Sequence, residues 1–260
     1  MKFGWSFCRR FYRTVHGMYK PASLDDLVVI HKSSNFIVVN KHYDIKINSD
    51  DETDELTVAN QLAKKFPDLV EDGLAHYFRF THRLDYSTSG ALCIALHKKA
   101  SSSAQKMFQK REVQKEYLAL VRGHMTVDHV VVERGICPNS EEGFTHMMCL
   151  SEDGETKDVK ARSAKTEIVV LQRGYYDGDP ATKLRLLPFT GRRHQLRLHC
   201  LSLGHPIVGD YTYSNRMDTK PYRMMLHSHK LHIPSNIEDI DATAPDPFTS
   251  EYDPKWVVDT

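Results

Sequence analysis

Thr81-His82-Arg83-Leu84-Asp85-Tyr86-Ser87-Thr88-Ser89-Gly90 opens onto Ala91-Leu92-Cys93-Ile94-Ala95-Leu96-His97. The apolar run after Gly90 reads as a buried strand, Ala91–His97, and the polar stretch before it as a loop held by that strand. Reacting groups collect on loops positioned by a rigid scaffold. Asp85 is the last carboxylate before Glu112. Nearby positive charge favours the ionised form of such a group. Without a carboxylate partner it suits a nucleophile better than a two-acid glycosidase. A turn or N-cap Asp, with Ser and Thr completing the turn, accounts for the same residues and stays open on physical grounds.

Working outward, Leu27–His31 and Phe36–Asn40 are β-rich runs separated by a turn-like Lys32-Ser33-Ser34-Asn35, the pattern of a hairpin. Val58, Leu62 and Phe66 recur at helical spacing and stop at Pro67, predicting a helix over Thr57–Phe66. A second helix is expected over Ser101–Arg111, with Ser101 to Ser103 offering N-caps. Tyr117–Val121, His129–Glu133, Thr166–Leu171 and Leu184–Leu187 read as strands, and Ser151–Val159 as an acidic surface loop. Arg192–Leu203 reads as a helix stopped by Gly204 and Pro206. Mixed elements without regular βαβ alternation indicate an α+β fold on a mixed, largely antiparallel sheet flanked by helices and loops.

Net charge is only +1, but it is segregated. No acid occurs from Tyr86 to Arg111 or from Pro180 to Gly209, while both stretches are rich in Lys and Arg. Such segregation creates a basic face on a near-neutral chain, although solvated helix faces explain it too. Residues 1–24 are basic and acid-free, with Trp5, Phe7, Phe11 and Tyr12, and read as a flexible arm that touches RNA or, alternatively, as a mitochondrial leader. Five cysteines without a C-x-x-C pair argue against a disulfide framework or a zinc site, and for a reducing compartment. No apolar run is long enough to span a bilayer as a helix.

Two further segments carry chemistry. In Leu187–His199, Thr190 is placed to cap a helix whose first turn would present N–H groups and arginines to an anion. Arg193 and Arg197 share an i, i+4 face, opposite an apolar stripe of Leu196, Cys200 and Leu203. His194, His199 and His205 match no H-E-x-x-H metal pattern and read as RNA-facing or structural. In Lys115–Gly123, alternation puts Tyr117, Ala119 and Val121 on one strand face. Tyr117 alone would be a core aromatic.

Taken together, H-R-L-D-x-x-T-S-G from His82, K-x-Y-x-A around Tyr117 and T-G-R-x-H-Q-L-R from Thr190 resemble the RluA branch of the pseudouridine synthases. G-H-P-I-V-G-D-x-x-Y from Gly204 and M-L-H-x-x-x-L-x-I-P from Met225 extend the resemblance over Leu27 to Phe248. It implies the pseudouridine synthase fold and isomerisation of uridine in structured RNA, without metal or organic cofactor. By position, Asp85 matches the essential aspartate, Tyr117 the aromatic that stacks on the base, and Arg197 the arginine paired with the aspartate. Arg83 matches the residue that fills the gap left by a flipped base, a flip that costs about a few kcal/mol. His82, Arg192, Arg193 and His194 are the remaining expected RNA contacts. The implied partner is transfer or ribosomal RNA, with messenger RNA next, and no membrane. Expected boundaries are an arm over 1–24, a catalytic domain over 25–250 and a tail over 251–260. A cytosolic monomer is the default, with mitochondria as the alternative. Two departures stand out: Lys41-His42-Tyr43-Asp44 replaces K-P-x-G, and Arg193 replaces a Thr or Ser. A fold-retaining RNA binder without turnover is the competing function, and a nucleoside or sugar hydrolase a weaker third, lacking a second carboxylate.

Overall fold

The computed structural model describes residues 21–151 and 161–259. The expected basic arm, up to residue 20, and most of the acidic Ser151–Val159 stretch lie outside the described residues. The hairpin forms as expected, β1 (Val28–Lys32) against β2 (Phe36–Lys41). Its turn is closed by the Ser33 hydroxyl, which accepts from the Asn35 and Phe36 N–H groups at 3.0 Å each. Helix α1 (Val58–Lys65) begins at Thr57, whose hydroxyl accepts from the Asn60 N–H.

β3 (Arg79–Phe80) and β2 both pair antiparallel with β4 (Ser89–Ala95), every residue of which is buried. A strand covered on both faces must be apolar throughout, which is why this run lacks alternation. α2 (Lys98–Lys110) starts three residues earlier than expected. His97, not a serine, caps it: His97 Nδ1 accepts from the Ala100 N–H and so ends the strand as well. Ser101 and Ser103 are instead buried inside the helix.

β5 (Gln114–Arg122) pairs on one side with β10 (Asp179–Pro188) and on the other with β11 (Leu226–Pro234). β11 closes onto β4 through the parallel pairs His227↔Ser89 and Ser228↔Gly90. β9 (Lys165–Tyr176) and β10 are about twice as long as the runs read from sequence. Their turn is Asp177-Gly178, both with positive φ, the twist that suits a two-residue hairpin. β6 (His129–Glu133) and β13 (Trp256–Val258) also pair with β9, and β12 (Asp239–Thr243) with β11. The main sheet thus runs β1-β2-β4-β11-β5-β10-β9-β13, antiparallel save for β4–β11. β7 (Ile136–Pro138) and β8 (Met148–Leu150) form a separate hairpin with Cys137 opposite Cys149.

The boundary expected at residue 250 falls inside the packed body. Trp256 is fully buried in the core formed by β5, β9, β10 and β11, and burial of so large a ring makes 251–259 part of the domain. The last helix, α3, spans Gln195–Ser202, three residues shorter at its start than expected. Residues Gln195 to Cys200 are all buried and Arg193 lies before the helix, so Arg193 and Arg197 do not share a helical face opposite an apolar stripe. No described helix is long and apolar enough to cross a membrane.

Candidate active site

The Asp85 loop is tied down at both ends. The Thr81 hydroxyl donates to the Cys93 carbonyl at 2.8 Å, and the Cys93 N–H donates to His82 Nε2 at 3.0 Å. Within the loop the Thr88 N–H donates to the Asp85 carbonyl at 3.1 Å. Lys41, 1% exposed, reaches up from β2 and donates to the carbonyls of His42 and Tyr86. Burial and then Arg223 pull the Lys41 pKa down to about 7, against Asp44 and Asp85. The departure at Lys41–Asp44 leaves the turn intact, because Asp44 itself adopts the left-handed conformation at φ 52°. At the loop's exit Gly90 has φ 111°, and a Cβ there would sit 2.2 Å from the Ser228 carbonyl oxygen. Only glycine lets β11 approach so closely.

Arg197 points from α3 toward this loop, with its Nη1 3.9 Å from Asp85 Oδ2. That is a loose ion pair, since the guanidinium is already gripped by a second acid. Asp210, 1% exposed, accepts from Arg197 Nε at 2.7 Å and from Nη2 at 2.6 Å. The ring of Tyr213 lies under the guanidinium at 4.7 Å. Burial opposes the charge on Arg197, but Asp210, through hydrogen bonds and charge, and Asp85 outweigh it and raise its pKa. For Asp85 the balance differs from the sequence expectation. Burial is the larger influence and raises its carboxyl above the usual range, while Arg197, Arg83 and Arg193, in that order, pull it down. The cations reduce the cost of ionising Asp85 without cancelling it.

Tyr117 lies on β5, paired with Ser228 on one side and Leu186 on the other. Burial pushes its phenol up to about 12, opposed by a hydrogen bond to the Ser228 side chain and helped by Asp85. It is therefore a protonated, flat apolar surface at neutral pH. Asp85, Tyr117 and Arg197 line one cavity of about 400 Å³, within the range of about 300–1,000 Å³ usual for small-molecule sites.

The other expected contacts divide. Arg83 is exposed on the cavity rim, with no hydrogen bond or ion pair within 4.0 Å among the described residues. Arg193 is also exposed there and donates to the His146 carbonyl at 2.8 Å. Arg192 turns its Nε to the Ser163 carbonyl. His82 lines the cavity and is also tied to the scaffold: its ring stacks on Phe108 and accepts from β4, and burial, then Lys115, lowers its pKa to about 3. His194 has φ 57° and lies 2.8 Å from the Tyr213 hydroxyl; burial, then Arg197 and Arg193, bring its pKa to about 3. Thr190 does not cap α3. Its hydroxyl donates to Gln195 Oε1, which also accepts from the Arg192 N–H, so that part of the expected anion site is already satisfied.

Sequence reasoning missed four residues of this neighbourhood. Asp210 and Tyr213 lie within G-H-P-I-V-G-D-x-x-Y and support Arg197; an acid and an aromatic at fixed spacing were the available signal. Lys115 and Leu226 complete the cavity wall, Lys115 donating to the Thr190 carbonyl at 3.3 Å. Burial lowers the Lys115 pKa to about 8.

Comparison with known proteins identifies the family. Residues 26–202 match the family described as RNA pseudouridylate synthase. The chain is 52% identical over 237 residues to RNA pseudouridylate synthase domain-containing protein 1 of Danio rerio, covering 91% of this chain and 80% of that protein. It is 31% identical to the dual-specificity RNA pseudouridine synthase RluA of Yersinia pestis, covering 80% of this chain and 92% of the bacterial one. The solved structure of human RNA Pseudouridylate Synthase Domain Containing 1 superposes with a TM-score of 0.81 at 43% identity, over 93% of this chain and 92% of that one. The chain belongs to the RNA pseudouridylate synthase family, in its RluA-like branch.

Proposed function

We propose that this chain isomerises uridine to pseudouridine in structured RNA, with transfer or ribosomal RNA as substrate and the Asp85 carboxylate as nucleophile. The observation that carries the reading is the meeting of Asp85, Arg197 and Tyr117 in one cavity whose rim bears exposed arginines. A stacked uridine is out of reach of a buried carboxylate, so the nucleotide must be extruded. Arg83, unpaired among the described residues, is the group available to occupy the gap, its guanidinium plane replacing the lost stack. Asp85 then attacks C1′ of the ribose or C6 of the base. The N1–C1′ bond breaks, the base turns over against Tyr117, C5 bonds to C1′, and the bond to Asp85 breaks, its electron pair returning to the carboxylate. The C5 proton leaves and N1 gains one, so the product is an isomer of the substrate and no cofactor is consumed. With its phenol raised to about 12 by burial, Tyr117 stays protonated at neutral pH and offers the base a stacking surface.

The test is to incubate the chain with total RNA lacking its modification and to map new pseudouridines for the wild type and Asp85→Asn. New sites with the wild type, all lost in the variant while RNA binding persists, are expected. No product on any RNA would favour a binding protein that retains the fold without turnover.

A further inference from the structure

Asp85 lines two adjoining cavities, and the reaction above uses one. The second, of about 610 Å³, shares Arg83, Asp85, Arg193, His194 and Arg197 with the first. Beyond those it is lined by Lys46, Asn48, Tyr86 and Thr212 among others. Tyr86 directly follows Asp85 and is 54% exposed. Among the described residues its ring stacks on no other ring and lies under no cation, and its hydroxyl makes no hydrogen bond, although Asp44, Lys46 and Asp54 act on that hydroxyl through their charge. Its backbone is nevertheless fixed, because Lys41 holds its carbonyl at 2.9 Å. The result is a flat apolar surface, anchored but uncovered, beside the reacting group.

Asn48 is half-buried in the same cavity, and its amide has no hydrogen-bond partner among the described residues. A carboxamide offers two donors and an acceptor, the complement of a nucleobase edge. Lys46 is engaged by Asp54, which leaves Arg83 and Arg193 as the exposed cations at the junction of the two cavities. An aromatic platform, a base-edge reader and cations along the rim are the three parts of a single-stranded nucleotide site.

We propose that this second cavity binds the nucleotide covalently next to the target uridine, its base stacked on Tyr86 and its edge read by Asn48. This rests on the reading that RNA crosses Asp85. A shared wall at the reacting carboxylate suits an immediate neighbour, so the cavity selects the sequence context of the modified uridine.

The test measures binding of the full chain to a hairpin RNA with a single loop uridine, and to versions in which its 5′ or its 3′ neighbour is abasic. One of the two abasic versions should bind wild type about 5- to 150-fold more weakly, the range for loss of one base–aromatic stack. Tyr86→Phe should show the same penalty. Tyr86→Ala should bind the intact hairpin more weakly and show no further loss with the abasic one. Asn48→Ala should flatten the preference among the four bases at that neighbour. Equal abasic penalties in wild type and Tyr86→Ala would overturn the proposal, as would a wild type indifferent to both abasic positions or unable to bind any hairpin. Because binding is read without turnover, absence of pseudouridine formation would count against the proposed reaction alone. Normal turnover with Tyr86 uncoupled from the neighbour would count against this subsite alone.

Discussion

Arg197 stands between two carboxylates that use it in opposite ways, and replacing each by its amide separates them. Asp210 holds the guanidinium with two hydrogen bonds at 2.7 and 2.6 Å, both partners being nearly inaccessible to water. Asp210→Asn leaves the shape and removes the charge, leaving a buried cation whose nearest remaining acid, Asp85, is 3.9 Å away and itself costly to ionise. Breaking a buried pair from one side costs about 3–5 kcal/mol. For a chain of this size that corresponds to a melting temperature lower by about 6–20 °C. Asp85→Asn has the opposite sign. The folded-state pKa of Asp85 is raised above its ordinary 3.8 by burial, so its contribution to stability is complete below that value and is lost as pH rises through the folded pKa. At neutral pH the ionised Asp85 therefore costs stability, and Asp85→Asn should melt higher than wild type, with the gain fading in acid.

The same pair predicts the pH dependence of turnover. Activity should rise through an acid limb lying above pH 3.8, as Asp85 ionises. In Asp210→Asn two changes act together: a like charge near Asp85 disappears, and Arg197 is freed to close the 3.9 Å gap. Both favour the carboxylate, so the limb should move to lower pH while the maximal rate falls if Asp85 is the proposed nucleophile, because it is then held in a tight ion pair. Thermal unfolding and pH–rate profiles of the two variants suffice. Asp210→Asn within about 1 kcal/mol of wild type, or an acid limb displaced upward, would refute the claim that Asp210 keeps the arginine off the nucleophile.

Gly90→Ala must relieve both a φ of 111° and a Cβ 2.2 Å from the Ser228 oxygen. Backbone strain and overpacking each cost about 1–3 kcal/mol, so the variant should unfold at lower denaturant and lose activity even where folded, because the β4–β11 contact carries the Asp85 loop. Native stability with full turnover would contradict that coupling. Arg83→Ala should slow turnover on a uridine within a helical stem more than on an unpaired oligomer; equal slowing on both would remove Arg83 from the flipping step.

Much of this protein is legible residue by residue. The buried strand after Gly90, the β1–β2 hairpin and the Thr57-capped helix depend on neighbours within a few positions, and periodicity and caps report such neighbours. Errors arise where a tertiary partner replaces a local one. His97 caps α2 because Asn35 holds its other ring nitrogen at 3.0 Å. Gln195, bonded to Thr190, Thr166 and the Lys165 carbonyl, delays the start of α3. The Asp177-Gly178 turn was a readable hairpin signal that would have lengthened β9 and β10. Trp256 is drawn into the core by β9, whose pairing with residues 256–258 no local pattern announces.

For the site, the sequence alone determined which side chains are candidates: a carboxylate in a polar loop before a buried strand, a tyrosine on an alternating strand and arginines in an acid-free segment. Composition and spacing leave Asp85 open as a turn residue and Tyr117 as a core aromatic, and only the ordered motifs, through their family resemblance, single them out. Only the tertiary structure decided what those groups feel. That Arg197 belongs first to Asp210, that His82 is bonded to β4 while it lines the cavity, and that burial outweighs three cations at Asp85 all depend on distances between segments far apart in the chain. Desolvation and ion pairing act through space, and the fold alone sets that space.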